Sequence, residues 1–435
     1  MSKKVISPGG TVTGSLDLPG DKSISHRYAI LAAIAEGPTE IQNFAAAADC
    51  QSTLECVRRL GIAVDVNRER VRIAGAGLDG LKAPRKPLDA ENSGSTIRML
   101  AGVLAGQSFT STLTGDSSLR RRPMRRVAEP LRQMGATINS KDGDRAPIEI
   151  RGAKLRAIDY TPPIPSAQVK SAILLAGLYA DDVTTVRESV HTRDHTEIAL
   201  REFGAEVDSV QGIIRIQPRP TLTARQLTVP GDLSAAVFLI AAALLLPESS
   251  LTIHNVGLNP TRARVLDFLI SIGAPIHVAS LQMRNGELVG DISVRHAPLT
   301  GGTVSGSQVA EMIDELPMLA ALGPFTEQGI EIHDAQELRV KESDRIAALA
   351  EGLRRMGAQV EEFPDGMRVE GRSKSKSKLH GAKIDPQGDH RIAMALAVAA
   401  LGAEGDTTIL DSDCAAVSFP DFFSVLERLR GTPPS

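Results

Sequence analysis

At 435 residues the chain exceeds what one ordinary hydrophobic core fills, so two domains are expected. Its 42% apolar and 23% charged residues describe a globular protein, not a disordered one. A net charge of −3, with 10 Phe, 3 Tyr and no Trp, excludes a globally basic surface or a stacking platform for nucleic acid.

The first ten residues carry Lys3 and Lys4 but no apolar run after them, so no secretory signal is expected. Thr11–Leu18 reads as a strand. The cysteines Cys50, Cys56 and Cys414 are too few for a disulfide framework and point to a reducing compartment, so the cytoplasm is the expected location. Cys50 and Cys56 read as buried small apolar residues. The longest apolar run, Ala235–Pro247, is shorter than the roughly 20 residues that a membrane span needs.

Two phrases then alternate along the chain. In one, a polar cluster opens an apolar helix: Gly20–Arg27 before Tyr28–Ala35, Asn92–Arg98 before Met99–Ala105, and Pro165–Gln168 before Val169–Ala180. The same phrase returns as Pro230–Ser234 before Ala235–Leu246, Ile313–Pro317 before Met318–Leu322, and Gly388–Arg391 before Ile392–Leu401. In the other, a helix runs into Gly and then a strand-like alternation, at Gly61, Gly135, Gly204, Gly273 and Gly357. Glycine there ends a helix in the left-handed conformation that other residues resist. Six apolar helices imply six α/β units of about 70 residues, each with one helix buried on all sides.

Three units precede residue 228 and three follow it. The expected domains are therefore 20–228, and 1–19 with 229–435, hinged near Pro19-Gly20 and Val229-Pro230, with the active site in the cleft between them. The Ser373–Lys378 stretch reads as a solvated loop.

Helix starts expose unpaired N–H groups and partial positive charge, so they draw anions, and Lys, Arg, Ser and Gln strengthen that pull. The candidates are Lys22, Ser23 and Arg27; Ser95 and Arg98; Ser166 and Gln168; Asp314; and His390 and Arg391. Lys341 and Arg345 are expected one helical turn apart on one face, with Glu342 between them. Arg122 stands in a run of five arginines over 120–126, read as a solvated loop with one functional member. A carboxylate among such cations is ionised and available as a base. This inventory suits phosphorylated or carboxylated small molecules. Gly20–Ser23 lacks the glycines of a P-loop, and His191 and His195 lack the Glu of a zinc-protease pair, so no metal is expected.

Read together, Pro19–Arg27, Asn92–Arg98, Arg122-Pro123-Met124, Ser166–Ala172, Arg339–Arg345 and Gly388–Arg391 resemble, in order, the motifs of the EPSP synthase (3-phosphoshikimate 1-carboxyvinyltransferase) family. The resemblance runs over nearly the whole chain. It implies a pair of inverse α/β domains of three βαβαββ units each, and transfer of the enolpyruvyl group of phosphoenolpyruvate to the 5-hydroxyl of shikimate 3-phosphate. It implies that shikimate 3-phosphate is held by Lys22, Ser23, Arg27, Ser166, Ala167, Gln168, Asp314 and Lys341. Phosphoenolpyruvate falls to Lys22, Gly94, Arg122, Gln168, Arg345 and Arg391. Asp314, Glu342 and Lys22 are the implied catalytic residues, with Asp314 taking the hydroxyl proton and Glu342 moving the proton at C3. Thr192 and Arg193, with Ser95, Arg98 and His390, are secondary candidates. No cofactor, nucleic acid or membrane partner is implied, and a monomer is expected.

Three positions depart from the best-known bacterial pattern and resemble the family's second sequence subclass: Ala167, Thr192-Arg193, and Val417 in place of a lysine that contacts phosphoenolpyruvate. The alternative acceptor is UDP-N-acetylglucosamine. It is disfavoured because the sister enzymes carry Lys-Asn where this chain has Lys22-Ser23, and usually a cysteine in the loop that here runs over Gly115–Met124.

Overall fold

Every glycine of the recurring phrase stands where a helix has just ended, with φ between 88° and 112°. The helices Ala48–Arg59, Arg125–Gln133, His195–Glu202, Arg264–Ser271 and Arg345–Arg355 each run into one of them. Each then continues into a strand: Ala63–Asn67, Thr137–Lys141, Val207–Val210, Ile276–Arg284 and Val360–Phe363. The structure is a computed structural model describing residues 2–141, 143–374 and 378–431. The expected serine–lysine loop reaches into 375–377, which lie outside the described residues.

The polar clusters run into the first turns of the apolar helices, which therefore start earlier than the apolar runs alone. These helices are α1 Lys22–Ile34, α2 Gly94–Ala105, α3 Ala167–Gly177, α4 Leu233–Leu245, α5 Leu316–Leu322 and α6 His390–Ala400. Five begin on a side-chain cap: Asp21, Ser93, Ser166, Asp232 and Asp389 each accept a backbone N–H two or three residues on. Such a cap is typically worth about 1 kcal/mol and fixes where the helix starts. In α5 the residue before the helix, Glu315, gives no side-chain cap, because it is turned toward cations instead. All thirteen residues of α4 are buried, which explains why the run is apolar on every side.

The chain divides into two compact units. One is Met1–Leu18, Gly231–Gln282 and Leu288–Ser435, here unit 1; the other is Pro19–Pro230 with Met283–Glu287, here unit 2. Each has its own apolar core, built around α4, α5 and α6 in unit 1 and α1, α2 and α3 in unit 2. In unit 2 a four-stranded sheet runs in the order Leu88–Asp89, Thr110–Thr114, Arg145–Arg151, Thr137–Lys141, with a parallel first pair and antiparallel others. That order recurs in two further sheets of unit 2 and in two of unit 1.

The chain's beginning supplies two strands to unit 1. Thr13–Asp17 pairs in parallel with Ser250–Gly257, from Thr13 against Ser250 to Asp17 against His254. Lys3–Ile6 pairs antiparallel with Thr407–Leu410, in a three-stranded sheet with Lys383–Ile384. This second strand was not expected, since four residues with two lysines carry no legible alternation. No helix among the described residues is long and apolar enough to cross a membrane.

Candidate functional site

In unit 2 the starts of α1, α2 and α3 bring their polar residues together. The Arg27 side chain is buried; its Nε donates to Thr196 Oγ1 at 2.6 Å, Nη2 to Ser171 Oγ at 3.0 Å and Nη1 to the Ser23 carbonyl at 2.8 Å. Burial pushes its guanidinium down to about 10, against the opposing pull of Glu197. Lys22 Nζ lies 2.8 Å from Asp49 Oδ2. Arg98 donates to Gln168 Oε1 at 2.5 Å, and Gln168 Nε2 donates to Ser95 Oγ at 3.0 Å, tying α2 to α3. Arg122 is buried despite its arginine-rich surroundings, and it donates to Asn92 Oδ1 at 2.6 Å.

Gly94 closes this group. A Cβ there would stand 2.7 Å from Arg98 Nη1 and 3.4 Å from Arg122 Nη1, so it would press on Arg98 and merely touch Arg122. Ser166 caps α3, with Ala167 as the first helical residue. Thr192 is buried and donates to Glu188 Oε1 through its hydroxyl and its N–H, and Arg193 is close enough to oppose the Arg27 charge.

Beneath this group runs a chain of hydrogen bonds: His26 Nδ1 to Thr53 Oγ1 at 2.7 Å, Thr53 to Thr96 Oγ1 at 2.6 Å, and Thr96 to Ser93 Oγ at 2.7 Å. Burial holds His26 well below the ordinary imidazole value, with Lys22 and Arg27 pushing the same way and Asp21 opposing. His195 is buried with Nδ1 2.7 Å from Glu287 Oε1, while His191 is exposed.

In unit 1 the acids and cations interlock. Asp314 Oδ1 lies 3.3 Å from Arg345 Nη1 and 3.7 Å from Lys341 Nζ, and the Asp314 carbonyl accepts from Arg391 Nη1 at 2.8 Å. Arg345 is fully buried. Its Nε meets Asp389 Oδ2 at 2.8 Å and its Nη2 meets Glu342 Oε2 at 2.5 Å. Burial works against the Arg345 charge, but Asp389, Glu342 and Asp314 outweigh it and hold the guanidinium above its usual range. The Lys341 ammonium is pushed below the usual lysine value by desolvation, then by Arg345, against the pull of Asp314. His390 and Arg391 are buried in the first turn of α6.

One expectation is corrected here. Lys341 and Arg345 do not share a helix face: Gln336–Val340 is a short 3-10 turn, and the helix begins at Arg345, capped by Asp344. The two meet at Asp314 because the chain bends between them. The sequence reading also missed Asp389 as a partner of Arg345, Asp49 as a partner of Lys22, and the buried pair Arg262–Glu315 beside Asp314. The one signal was the presence of charged residues within or beside apolar helices, where a charge must find a partner.

In each unit, cationic side chains and helix starts, groups that draw anions, stand beside carboxylates. Over residues 6–426 the chain matches the model of EPSP synthase (3-phosphoshikimate 1-carboxyvinyltransferase). This chain belongs to the EPSP synthase family. A family relative from Solibacter usitatus, named 3-phosphoshikimate 1-carboxyvinyltransferase, is 55% identical over 98% of this chain and 99% of its own. One from Koribacter versatilis with the same name is 52% identical over 98% of each. The solved EPSP synthase from Acinetobacter baumannii superposes with a TM-score of 0.87 at 38% identity, over 99% of this chain and 98% of its own. The enolpyruvyl transferase NikO from Streptomyces tendae shares the fold, with a TM-score of 0.75 at 19% identity over 98% of this chain and 96% of its own. The expected enolpyruvyl transferase fold is therefore the observed one. As an EPSP synthase family member the chain is a transferase of the shikimate pathway, and its acceptor is shikimate 3-phosphate, not UDP-N-acetylglucosamine.

Proposed function

We propose that the polar group of unit 2 holds shikimate 3-phosphate through Lys22, Ser23, Arg27, Ser166, Ala167 and Gln168, and that the acids of unit 1 carry the proton transfers. Phosphoenolpyruvate is held by Lys22, Gly94, Arg122, Gln168, Arg345 and Arg391. The oxygen of the 5-hydroxyl attacks C2 of phosphoenolpyruvate while its proton passes to Asp314, and C3 takes a proton from Glu342, which enters the step protonated. The resulting tetrahedral intermediate then loses phosphate as the bond from C2 to the phosphate oxygen breaks; Asp314 passes its proton to the departing phosphate and C3 returns its proton to Glu342. The arginines and lysines offset negative charge as it develops. Lys341 steers Asp314 and the ring.

The observation that carries this reading is Asp314 itself: a carboxylate within 4 Å of Lys341 and Arg345 stays ionised, and so can accept a proton. The domains are taken as residues 20–228 and as 1–19 with 229–435, apart from the short 283–287 segment, which packs with the first. The protein works as a monomer in the cytoplasm. The deciding test is phosphate release from phosphoenolpyruvate with shikimate 3-phosphate, with UDP-N-acetylglucosamine, and with Asp314→Ala. Release with shikimate 3-phosphate alone, and lost in the variant, supports the roles given. Full release by the variant removes Asp314 as the base.

A further inference from the structure

Lys170 lies on α3, one turn after Ser166, in the otherwise apolar sequence Val169–Gly177, where Ser171 is the only other polar residue. Its side chain is 1% exposed, and Nζ lies 2.7 Å from Glu197 Oε1, 3.0 Å from Glu188 Oε1 and 3.3 Å from the Thr192 carbonyl. An ammonium has three donors, and here each has an acceptor. Glu197 is 1% and Glu188 6% exposed. Burial raises the Glu197 carboxyl, and Lys170 pulls it back.

Such a triad is costly as a way of holding a core together, because apolar side chains of similar volume do that as well or better. What it supplies is geometry. Glu188 also receives the hydroxyl and the N–H of Thr192, so the 188–194 loop is fastened at both ends of that contact. The neighbouring residues repeat the link, since Ser171 Oγ lies 2.6 Å from Thr196 Oγ1 and both hold Arg27. The loop that carries Thr192 and Arg193 is thus pinned to the helix that starts at Ser166-Ala167-Gln168.

We propose that Lys170, bridged to Glu188 and Glu197, is a positioning residue for shikimate 3-phosphate, setting Thr192-Arg193 against the start of α3 before the substrate arrives. Lys170 touches no substrate and acts through the loop. The inference rests on the reading that Arg27, Ser166 and Gln168 hold that substrate.

The test uses the full-length enzyme with Lys170→Met, Lys170→Met/Glu197→Gln and Arg27→Ala, with KM measured for each substrate. Lys170→Met is expected to raise KM for shikimate 3-phosphate about tenfold, since small misplacements of positioning groups have large effects. KM for phosphoenolpyruvate should stay within about twofold, because uniform binding of that substrate is untouched. The double variant should recover part of the loss, because it removes an unpaired buried carboxylate. If Arg27→Ala raises KM for shikimate 3-phosphate while a folded Lys170→Met leaves it unchanged, or changes both KM values alike, the inference falls and the site reading stands. If Arg27→Ala changes nothing, the site reading itself falls. Should Lys170→Met fail to fold by circular dichroism, Glu188→Ala, which keeps the Lys170–Glu197 pair, decides by the same KM split. Its unchanged KM would overturn the proposal.

Discussion

In unit 2 the buried Arg27 is held by two hydroxyls and a backbone carbonyl, whereas in unit 1 the buried Arg345 is held by three carboxylates. Neutral acceptors leave Arg27 with its charge uncompensated at close range, and burial accordingly pushes its guanidinium down. Carboxylates leave Arg345 neutralised and more firmly protonated. The same side chain near the start of a helix, Arg345 in the first turn and Arg27 in the second, thus meets two different surroundings. Under the proposed reading, unit 2 keeps a charge for an incoming anion to satisfy. Unit 1 sets its acids against a buried cation that they already satisfy.

Replacing Asp314 by Asn should separate the two units most sharply. Loss of a general base lowers kcat by about a thousandfold, read as phosphate release, with KM for shikimate 3-phosphate moving far less. A comparable loss in KM and none in kcat would break the comparison. Next come the arginines themselves. Arg345→Met strands three carboxylates in or near the core and should cost about 3–5 kcal/mol of stability in thermal or denaturant unfolding. Arg27→Met leaves Ser171 and Thr196 to bond each other and should cost about 1 kcal/mol. Equal losses would show that the acids around Arg345 are not its true counterweights.

His26 provides a pH test confined to unit 2. Its folded pKa lies well below 6.5, so on acidification the unfolded chain takes up a proton that the folded chain refuses. Stability is therefore fully present above 6.5 and falls as pH drops, by up to about 1.4 kcal/mol per pH unit. Between roughly pH 7 and 5 the wild type should lose more stability than His26→Gln, as followed by chemical denaturation. A parallel loss in both would place the acid sensitivity elsewhere. The smallest effect is expected at Gly94→Ala. The added methyl presses on the movable end of Arg98, so stability should change by less than about 1 kcal/mol while KM for phosphoenolpyruvate rises a few-fold. An unchanged KM would remove Gly94 from that substrate's surroundings.

The features legible in the sequence were those written in local chemistry. The five glycines mark helix ends because left-handed φ is a property of one residue, and the helix starts at Asp21, Ser93, Ser166, Asp232 and Asp389 show because a cap acts within three positions. What stayed hidden depends on partners far along the chain. The strand at Lys3–Ile6 exists only because Thr407–Leu410 is there to pair with it. Lys341 was placed on a helix face because i and i+4 spacing cannot reveal that Asp344 starts the helix later. The candidate site followed the same division. Ser166, Gln168, Arg27 and Arg391 were visible in the polar clusters at helix starts, but Asp389 serving Arg345 across 44 positions, and Lys170 serving Glu188 and Glu197, follow from tertiary packing alone.

The pairing of the earliest strands with late ones also sets a timetable for synthesis. Residues 3–6 leave the ribosome about 400 residues ahead of their partner at 407–410, which at about 5 to 20 residues per second is a wait of roughly 20 to 80 s. Unit 2, apart from its short 283–287 segment, is complete once residue 230 has emerged and can condense early. Residues 3–6 and 13–17 meanwhile keep open strand edges, available to a neighbouring nascent chain. Charged and small residues dominate that stretch, from Lys3 and Lys4 to Gly9 and Gly10, and such residues discourage pairing with the wrong chain until the right one arrives.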